Sequence, residues 1–426
     1  MSNSNRVFIT GTSALTASGN SIDTTWDAIL AGQSNIAEIK QWDVSTWETR
    51  LGGELRDFKP AKMLPDRKLV KMISRQDAMG INAATQAVEQ SQIIAYRDTL
   101  DTVEKFNDDT AVFVGSPGNK YLQQYDFLPL IAKTKGDMKA FSEQLFREVH
   151  PMWLLRILPN NVLAYAGITY GFKGMNQNVT NHAVSGTQAL IEAYHAIKTG
   201  RAERAVVVAY DVGPEPQALF YYDKLGVVSP RHLKPFDAAH DGTILAEGAA
   251  AIVLESEASV AARGAKTYSE MVGGASATEA EGLFSIDASG DKLASLMSST
   301  LDTFQVKTED IGLMVAHANG NPKSDISEAQ AIDKTFGAGQ VPVTAFKWAM
   351  GHTLCASGIL DTVLAVRAAA EQRIPGIANL EQQAASCANL DVSSQTREAT
   401  RDKPYTMLVN RGFSSMNACL VIRHCE

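Results

Sequence analysis

The feature that most constrains the fold of this chain is a regular alternation of short apolar runs with longer segments of helical periodicity. Six runs predict buried strands, because each is apolar and is bounded by glycine or polar residues. They are Val7–Thr10, Ala111–Val114, Ala205–Ala209, Ala250–Leu254, Gly312–Ala316 and Thr406–Val409. Two of the intervening helices are predicted at Gly186–Thr199, which ends at Gly200, and from about Lys68 to Gln90. This alternation indicates an α/β fold with largely parallel sheets.

Composition excludes several classes of protein. With 426 residues, 45% hydrophobic and 20% charged, the chain can bury a large core, and disorder is not expected. The net charge of −8 and the lack of a long basic tract argue against a nucleic-acid partner. No signal peptide and no apolar stretch of about 18 residues is found, so we expect a cytoplasmic protein without a membrane span. The four cysteines show neither a disulfide framework nor a metal-binding CxxC spacing, so no metal is expected.

One segment is less regular than the rest. Residues 118–159 are rich in aromatic, methionine and leucine side chains. Three interpretations remain open from the sequence: a lid over a site, a region of subunit contact, or an insertion packed on the core.

A first candidate site lies where a predicted strand turns into the Gly186–Thr199 helix. The stretch Asn178–Thr187 contains His182 and Ser185. A sharp strand-to-helix turn places its tip at the helix N-terminus, where free N–H groups stabilise developing negative charge. Ala183 occupies the turn, however, and by itself the stretch indicates no more than a strand–helix connection.

Two further segments contain histidines. His317 directly follows a predicted buried strand, and His352 lies with Lys347 in a glycine-punctuated loop before a helix. Glu328 follows His317 by eleven positions. Single histidines are more often hydrogen-bonded core residues than catalytic ones, so a catalytic interpretation requires the fold to bring these side chains together.

Several motifs, in this order, resemble those of the β-ketoacyl-acyl-carrier-protein synthases, a family of the thiolase-like superfamily. The matching segments are Val7–Gly11, Ser18–Asn20, Ala28–Gly32, Lys234–Gly242, Ala246–Ala250 and Val253–Glu255. The resemblance covers nearly the whole chain. It implies a thiolase-like α/β fold in which two duplicated αβαβα halves, residues 1–250 and 251–426, form a five-layered core with the active site between them.

The resemblance also assigns roles to single residues. His317 and His352 fall on the two catalytic histidines of the family, and Lys347 falls on the lysine that precedes the second of them. Glu328 falls on a glutamate that the family resemblance leads us to expect beside that lysine. In such an enzyme the two histidines would hydrogen-bond the oxygen of the enolate that forms when a malonyl group loses carbon dioxide.

The chain departs from the family pattern at three places. Ala183 stands where the nucleophilic cysteine is expected, and a methyl group forms no thioester. Asn319 and Asn321 replace two threonines expected to hold the pantetheine arm of the carrier, and amides still donate and accept hydrogen bonds. Phe413 retains the aromatic residue that gates the site in the family. Ser414 and the serine after it stand where the family has glycines, and their added bulk would stiffen or re-aim the loop.

Three other residues bear on whether another side chain could replace the cysteine. Ser185 lies too far along the turn and is expected to pack or cap, and Cys355 is expected to be a small buried side chain. His182 is expected either to line the pocket or to support the structure.

The resemblance implies an acyl carrier protein as partner, and its phosphopantetheine would arrive with it, so no resident cofactor is expected. A local basic patch is predicted to dock this acidic partner, because nearby positive charge steers an anion whatever the net charge of the protein. The patch is centred on Arg67, Lys68, Lys71 and Arg75. A solvated surface is the alternative. The family also implies a homodimer, or a heterodimer with an active ketosynthase.

Three functions follow from the sequence. The first is decarboxylation of malonyl-carrier by His317 and His352, in fatty acid or polyketide biosynthesis, without condensation. The second is a non-catalytic subunit, similar to chain-length factors, that pairs with an active ketosynthase. The third is an ordinary condensing synthase in which the cysteine has been substituted by alanine.

Overall fold

A computed structural model of the chain describes residues 6–118 and 122–425, without the side chains of residues 122–126. The strands are β1 (Val7–Leu15), β2 (Ala37–Glu38), β3 (Leu51–Gly52), β4 (Thr110–Gly115), β5 (Asn176–Val179), β6 (Arg204–Val212), β7 (Glu247–Ser256), β8 (Ser269–Thr278), β9 (Ile311–Val315), β10 (Pro342–Thr344), β11 (Arg373–Ile374), β12 (Asp391–Val392), β13 (Arg397–Glu398), β14 (Tyr405–Gly412) and β15 (Met416–His424). All six predicted runs fall on these strands, to within one residue.

The α-helices are α1 (Ile22–Leu30), α2 (Pro60–Met63), α3 (Arg75–Ser91), α4 (Ile93–Arg97), α5 (Glu104–Asp108), α6 (Leu122–Lys133), α7 (Met138–Glu148), α8 (Trp153–Ile157), α9 (Asn161–Tyr170), α10 (Ser185–Lys198), α11 (Pro216–Lys224), α12 (Glu257–Arg263), α13 (Asp291–Phe304), α14 (Pro322–Phe336), α15 (Lys347–Met350) and α16 (Ser357–Glu371). Short 3₁₀ turns lie at Arg67–Lys71, Thr308–Asp310, Leu354–Ala356 and Ala385–Cys387. The predicted helix ending before Gly200 is α10.

The sheet shows an internal duplication. Its order is β12-β10-β9-β14-β15-β8-β1-β7-β6-β4-β5. From the outer edge inward, the first set of strands runs β5-β4-β6-β7-β1. The second set runs β10-β9-β14-β15-β8, which is the same order relative to the chain, and β12 is added at its outer edge. The two sets meet where β1 pairs antiparallel with β8. The division of the chain at residue 250 stays a prediction, and that residue lies within β7.

Helices cover both sides of the strands and lie between the two sets. α3 packs on β1, β6 and β7, and α13 packs on β8 and β15. α10 contacts β4 and β6 of the first set and β8 and β15 of the second, while α16 contacts β7 and β14. α10 and α16 therefore form a middle layer shared by both sets, in the five-layered thiolase-like α/β architecture.

Two details of the prediction are wrong. The sheet is mixed: β6–β7, β7–β1, β1–β8, β8–β15 and β15–β14 are antiparallel. The last strand of each set returns beside its predecessor instead of crossing over. The predicted helix from Lys68 is divided into a 3₁₀ turn and α3, because Ser74 begins a new helix: its hydroxyl accepts from Asp77 N while the Asp77 carboxylate accepts from Ser74 N.

The irregular segment at residues 118–159 contains α6, α7 and α8. Residues 119–121 of this segment lie outside the described part of the chain. These helices pack mainly on one another and expose large apolar side chains. Met138 is 63% exposed, Phe146 77% and Leu154 55%. Such exposure is typical of an interaction surface more than of an insertion packed on the core.

No helix in the described part of the chain is both long and apolar enough to cross a membrane. Over the same residues, no group of three or more His, Cys, Asp or Glu side chains is placed to hold a metal ion.

Candidate active site

The two predicted catalytic histidines lie side by side. His317 follows β9, and His352 follows α15. Their ring centroids are 5.1 Å apart at an interplanar angle of 82°. The two residues are only 1% and 3% exposed. The fold therefore brings together two imidazoles separated by 35 positions in the sequence, as the motifs predicted.

The hydrogen bonds of His317 determine its orientation. Its Nδ1 accepts from the amide N–H of Arg411 at 3.3 Å and faces the Asn410 side-chain amide at 3.4 Å. Burial, followed by the charge of Lys347, lowers the pKa of His317 well below its ordinary value. A neutral imidazole that accepts at Nδ1 must carry its proton on Nε2. His317 can therefore act as a hydrogen-bond donor through Nε2.

Glu328 supports the backbone at His317 and does not pair with Lys347 as predicted. Its two carboxylate oxygens accept from His317 N at 2.7 Å and from Ala318 N at 2.8 Å. Burial raises the pKa of Glu328 to about 7, and the nearby Arg411 opposes that rise. Glu328 points from α14 to the end of β9, which fixes the turn that carries the first histidine.

Lys347 pairs instead with Asp361 of α16, a residue that the sequence analysis did not single out. The Nζ–Oδ2 distance is 2.7 Å, and the side chains are 1% and 2% exposed. Burial raises the pKa of Asp361, and the ammonium of Lys347 counteracts this. The positive charge beside the two histidines is thus fixed by a carboxylate on the shared middle layer.

His352 is held through its backbone. Its N–H donates to the carbonyl of Ile244 at 2.7 Å, and its carbonyl accepts from Ala246 N at 2.9 Å. Burial, then Lys347, lowers its pKa well below the ordinary value. Its Nδ1 is buried and has no partner among the described residues. Because a buried N–H without an acceptor is costly, the tautomer with the proton on Nε2 is favoured.

Both histidines line a cavity of about 370 Å³. Asn319, Asn321 and Phe413, which were predicted to bind substrate, line it as well, and their contact with substrate stays a prediction. The Asn321 side chain also caps α14 by accepting from Lys323 N. Ser414, which was predicted to contact substrate, is exposed and does not line the cavity. The next residue, Ser415, does line it.

Ala183, at the predicted nucleophile position, is completely buried. The preceding residue, His182, has a φ of 50° and projects its ring into the cavity instead. Ser185 closes the turn: its hydroxyl donates to His182 O at 2.6 Å and accepts from Asn181 N at 2.8 Å. Cys355 is buried, and its thiol donates to His182 O. The Ser185 hydroxyl and the Cys355 thiol thus both donate to the same carbonyl.

His182 forms a stack with two aromatic residues. Its ring lies 4.3 Å from that of Phe413 and 6.1 Å from that of Tyr222, and the rings of Tyr222 and Phe413 are 5.3 Å apart. Burial lowers the pKa of His182 to about 4, so the ring is neutral near pH 7. Its Nδ1 accepts from Phe413 N at 3.0 Å, and the opposite nitrogen therefore donates to the Tyr222 hydroxyl. This stack fixes the position of Phe413.

The turn that carries Phe413 is bound to a neighbouring loop. Ser414 and Ser415 have φ values of 64° and 57°, the region in which glycine is most readily accommodated. Ser414 N donates to Leu283 O at 2.7 Å, and the Ser415 hydroxyl lies within hydrogen-bond distance of two carbonyls, those of Gly282 and Ser285. The two serines therefore anchor the turn in one position.

A second cavity, of about 400 Å³, lies behind the stack. The two cavities share five lining residues: His182, Tyr222, Leu225, Phe284 and Phe413. Two carboxyl groups line the second cavity, and burial raises the pKa of Asp211 to about 6 and that of Glu215 to about 7. The stack is thus a partition between the cavity lined by His317 and His352 and a second, partly polar chamber.

The predicted carrier-docking residues do not all share one environment. Arg67, Lys68 and Lys71 are exposed on the 3₁₀ turn before α3. Arg75 is different: its guanidinium forms an ion pair with Glu247 at 2.8 Å and donates to the carbonyl of Leu55. Because that group is already engaged within the fold, the exposed patch consists of the other three cations.

Sequence reasoning missed four residues that shape this site: Asp361, Asn410, Arg411 and Tyr222. Asn410 and Arg411 directly follow the apolar run of β14, and polar residues at a strand end were the available signal. Asp361 and Tyr222 lie within helices with no such signal.

Comparison with known proteins agrees with this geometry. The chain matches the family model for the N-terminal domain of β-ketoacyl synthases over residues 4–259 and the model for the C-terminal domain over residues 268–381. The chain belongs to the β-ketoacyl synthase family. Its relatives include a 3-oxoacyl-[acyl-carrier-protein] synthase 2 from Staphylococcus aureus (strain COL), 27% identical over 100% of both chains. The protein of the same name from Synechocystis sp. is 27% identical over 98% of each.

Solved structures show the same ketosynthase fold. A β-ketoacyl synthase from Burkholderia phymatum STM815 has a TM-score of 0.86 and 25% identity, covering 99% of this chain and 100% of that one. The ishigamide ketosynthase/chain length factor has a TM-score of 0.88 and 22% identity at the same coverage. This chain is a ketosynthase-family protein of fatty acid or polyketide biosynthesis.

Proposed function

We propose that this ketosynthase-family protein decarboxylates malonyl-carrier protein and does not condense acyl chains. The observation that supports this most directly is the pair of buried, neutral histidines whose rings lie 5.1 Å apart in one cavity. His317 carries its donor hydrogen on Nε2 because Nδ1 accepts from Arg411 N. The same tautomer is favoured for His352, so two N–H donors are available for one oxygen.

The chemistry follows from these donors. The bond between the malonyl carboxylate and the α-carbon breaks, carbon dioxide leaves, and the electron pair becomes the enolate of the thioester. Its oxygen would accept hydrogen bonds from His317 and His352, and a proton from water would then complete the acetyl thioester. Donors preorganised for a developing oxyanion are typically worth about 3–4 kcal/mol each. The positive charge of Lys347, which acts on both imidazoles, would stabilise the same oxygen further.

The carrier would deliver the substrate on its own phosphopantetheine, with no resident cofactor. We propose that the carboxamides of Asn319 and Asn321 bind the amide groups of that arm, since both residues line the cavity. The exposed cations Arg67, Lys68 and Lys71 would attract the acidic carrier.

Condensation would fail for two reasons at the nucleophile position. We place Ala183 there, and its methyl group cannot hold an acyl chain. In addition, the amide N–H of Phe413, beside this turn, already donates to His182. A thioester oxygen would have to displace that bond.

The test is incubation of purified protein with malonyl-carrier, followed by mass spectrometry of the carrier. We expect a loss of 44 Da (carbon dioxide) that yields acetyl-carrier, with no adduct on the protein. His317→Ala and His352→Ala are each expected to reduce the rate roughly 100-fold or more. His150→Ala, at an exposed position on a different part of the chain, is the matched control. Acetyl-carrier at the background rate, or equal rates in all variants, would refute decarboxylation.

A second function is favoured by a different observation. The exposed apolar side chains of α6–α8 and the closed His182–Phe413–Tyr222 stack suit a subunit that pairs with an active ketosynthase. Native mass spectrometry after co-expression with a condensing synthase of the same organism would detect that heterodimer. A homodimer alone would argue against it.

A further inference from the structure

A cavity lined by several cations lies away from His317 and His352. It has a volume of about 810 Å³ and lies at the end of the sheet where β9 and β14 begin and β15 ends. His317 follows the opposite end of β9. The cavity is therefore separate from the candidate active site, and nothing in the proposed reaction uses it.

Its lining is strongly cationic in an acidic chain. Five of the described lining residues are Arg or Lys, and none is Asp or Glu: the cations are Arg6, Arg373, Arg401, Lys403 and Arg423. The chain as a whole has a net charge of −8. A concave site lined by one sign of charge concentrates ligands of the opposite sign.

Two of the five cations have carboxylate partners within the described part of the chain. Arg6 lies 2.7 Å from Glu270 and 3.8 Å from Glu257, and Arg423 lies 3.3 Å from the same Glu270. Arg373, Arg401 and Lys403 form no ion pair within residues 6–118 and 122–425; Arg373 and Arg401 are exposed, and Lys403 is half-buried. These three cations remain available for a ligand.

Part of the remaining lining is small and apolar. Leu313, Ala368, Ala369 and Ala399 form an apolar floor, the partly buried Tyr405 also lines the cavity, and Gln372, Thr400 and Thr406 add polar groups. The volume is in the range of small-molecule sites, about 300–1,000 Å³, and a concave site suits a small molecule better than a flat protein surface. Guanidinium groups bind phosphate oxygens in bidentate fashion.

From this arrangement we propose that the cavity binds a small molecule with a di- or triphosphate group. The phosphates lie against Arg373, Arg401 and Lys403, and the uncharged part of the molecule lies on the alanine floor beside Tyr405. This site is independent of the proposed decarboxylation.

The experiment is isothermal titration of the full-length protein with magnesium-free ATP and, separately, with pyrophosphate. Both are expected to bind at low salt and to weaken as salt is raised, because screening shortens the reach of exposed charges. ATP is expected to bind more tightly than pyrophosphate, since only ATP uses the apolar floor. The variant Arg401→Ala/Lys403→Ala is expected to lose roughly 10-fold or more in affinity, as charge-assisted hydrogen bonds are removed.

Lys292→Ala is the control, because Lys292 is an exposed cation on α13 that does not line the cavity. Decarboxylation of malonyl-carrier by the double variant should equal that of the parent, which separates this proposal from the proposed function. Absence of binding by either probe at about millimolar concentration would overturn the proposal. So would an equal loss in Lys292→Ala, or saturable binding to an acidic carrier protein but to neither phosphate probe.

Discussion

The imidazole of His182 lies 4.3 Å from the ring of Phe413 and accepts the Phe413 amide hydrogen through Nδ1 at 3.0 Å. One residue thereby fixes both the side chain and the backbone of the aromatic residue that separates the two cavities. If Ala183 stands at the nucleophile position, as we propose, the His182 ring beside it would obstruct an acyl group.

This contact predicts that restoring the thiol alone will not restore acylation. Ala183→Cys is expected to react with acyl-carrier roughly 100-fold more slowly than His182→Gly/Ala183→Cys, because the glycine frees the Phe413 amide, a donor of oxyanion-hole type. Glycine also accommodates the φ of 50° without a steric penalty. Intact-protein mass spectrometry measures the adduct.

His182→Gly without the cysteine is the matched control and should gain no mass. Equal acylation of the single and double cysteine variants would show that His182 does not obstruct the site.

The buried Lys347–Asp361 pair predicts a strong and asymmetric effect on stability. Lys347→Met alone is expected to lower the free energy of unfolding by about 3–5 kcal/mol, because it leaves the Asp361 carboxylate buried without its partner. Lys347→Met/Asp361→Leu should recover most of that loss, since apolar pairs replace buried ion pairs at little cost. Urea unfolding at pH 7 gives both values. A double variant as unstable as the single one would contradict this account.

The depressed pKa of His182 predicts a particular dependence of stability on pH. The folded protein holds this ring neutral down to about pH 4, whereas the unfolded chain protonates it near 6.5. Between these values the unfolded state binds more protons, so stability falls as the pH is lowered through this window. His317 and His352 act in the same direction.

His182→Asn is expected to reduce that loss, because asparagine tolerates a positive φ and does not titrate. Urea unfolding at pH 7.5 and pH 5 compares the slopes, with exposed His150→Asn as the control. The prediction is wrong if His182→Asn and the parent lose the same stability over this range.

The exposed cations before α3 predict how the carrier docks. Lys68→Glu/Lys71→Glu is expected to weaken carrier binding roughly 10-fold at low salt, mainly by slowing association, and the difference should shrink at high salt. Lys292→Glu makes a charge reversal elsewhere and should have little effect. Surface plasmon resonance at two salt concentrations distinguishes these cases. An unchanged affinity in the double variant would remove the docking surface from the proposal.

The sequence was sufficient for those features that depend on local pattern. Apolar runs bounded by glycine or polar residues located six of the strands but missed β8 and β15, and family motifs identified His317 and His352 as neighbours. Side-chain partners were harder to predict, because they depend on packing between elements. Lys347 pairs with Asp361 of α16, while Glu328 faces the end of β9; no spacing in the sequence distinguishes these carboxylates.

The prediction of largely parallel strands was wrong for a related reason. Alternating strands and helices predict crossovers, yet β7 and β15 return antiparallel beside β6 and β14. The S-x-x-D pattern at Ser74 was present in the sequence and would have located the start of α3.

The burial of the cysteine thiols has a consequence for their reactivity with electrophiles. Cys355, Cys387 and Cys419 are buried, and burial raises the pKa of each, so little reactive thiolate forms at neutral pH. Electrophiles that alkylate thiolates would therefore react slowly with these three side chains, because each keeps its proton at neutral pH.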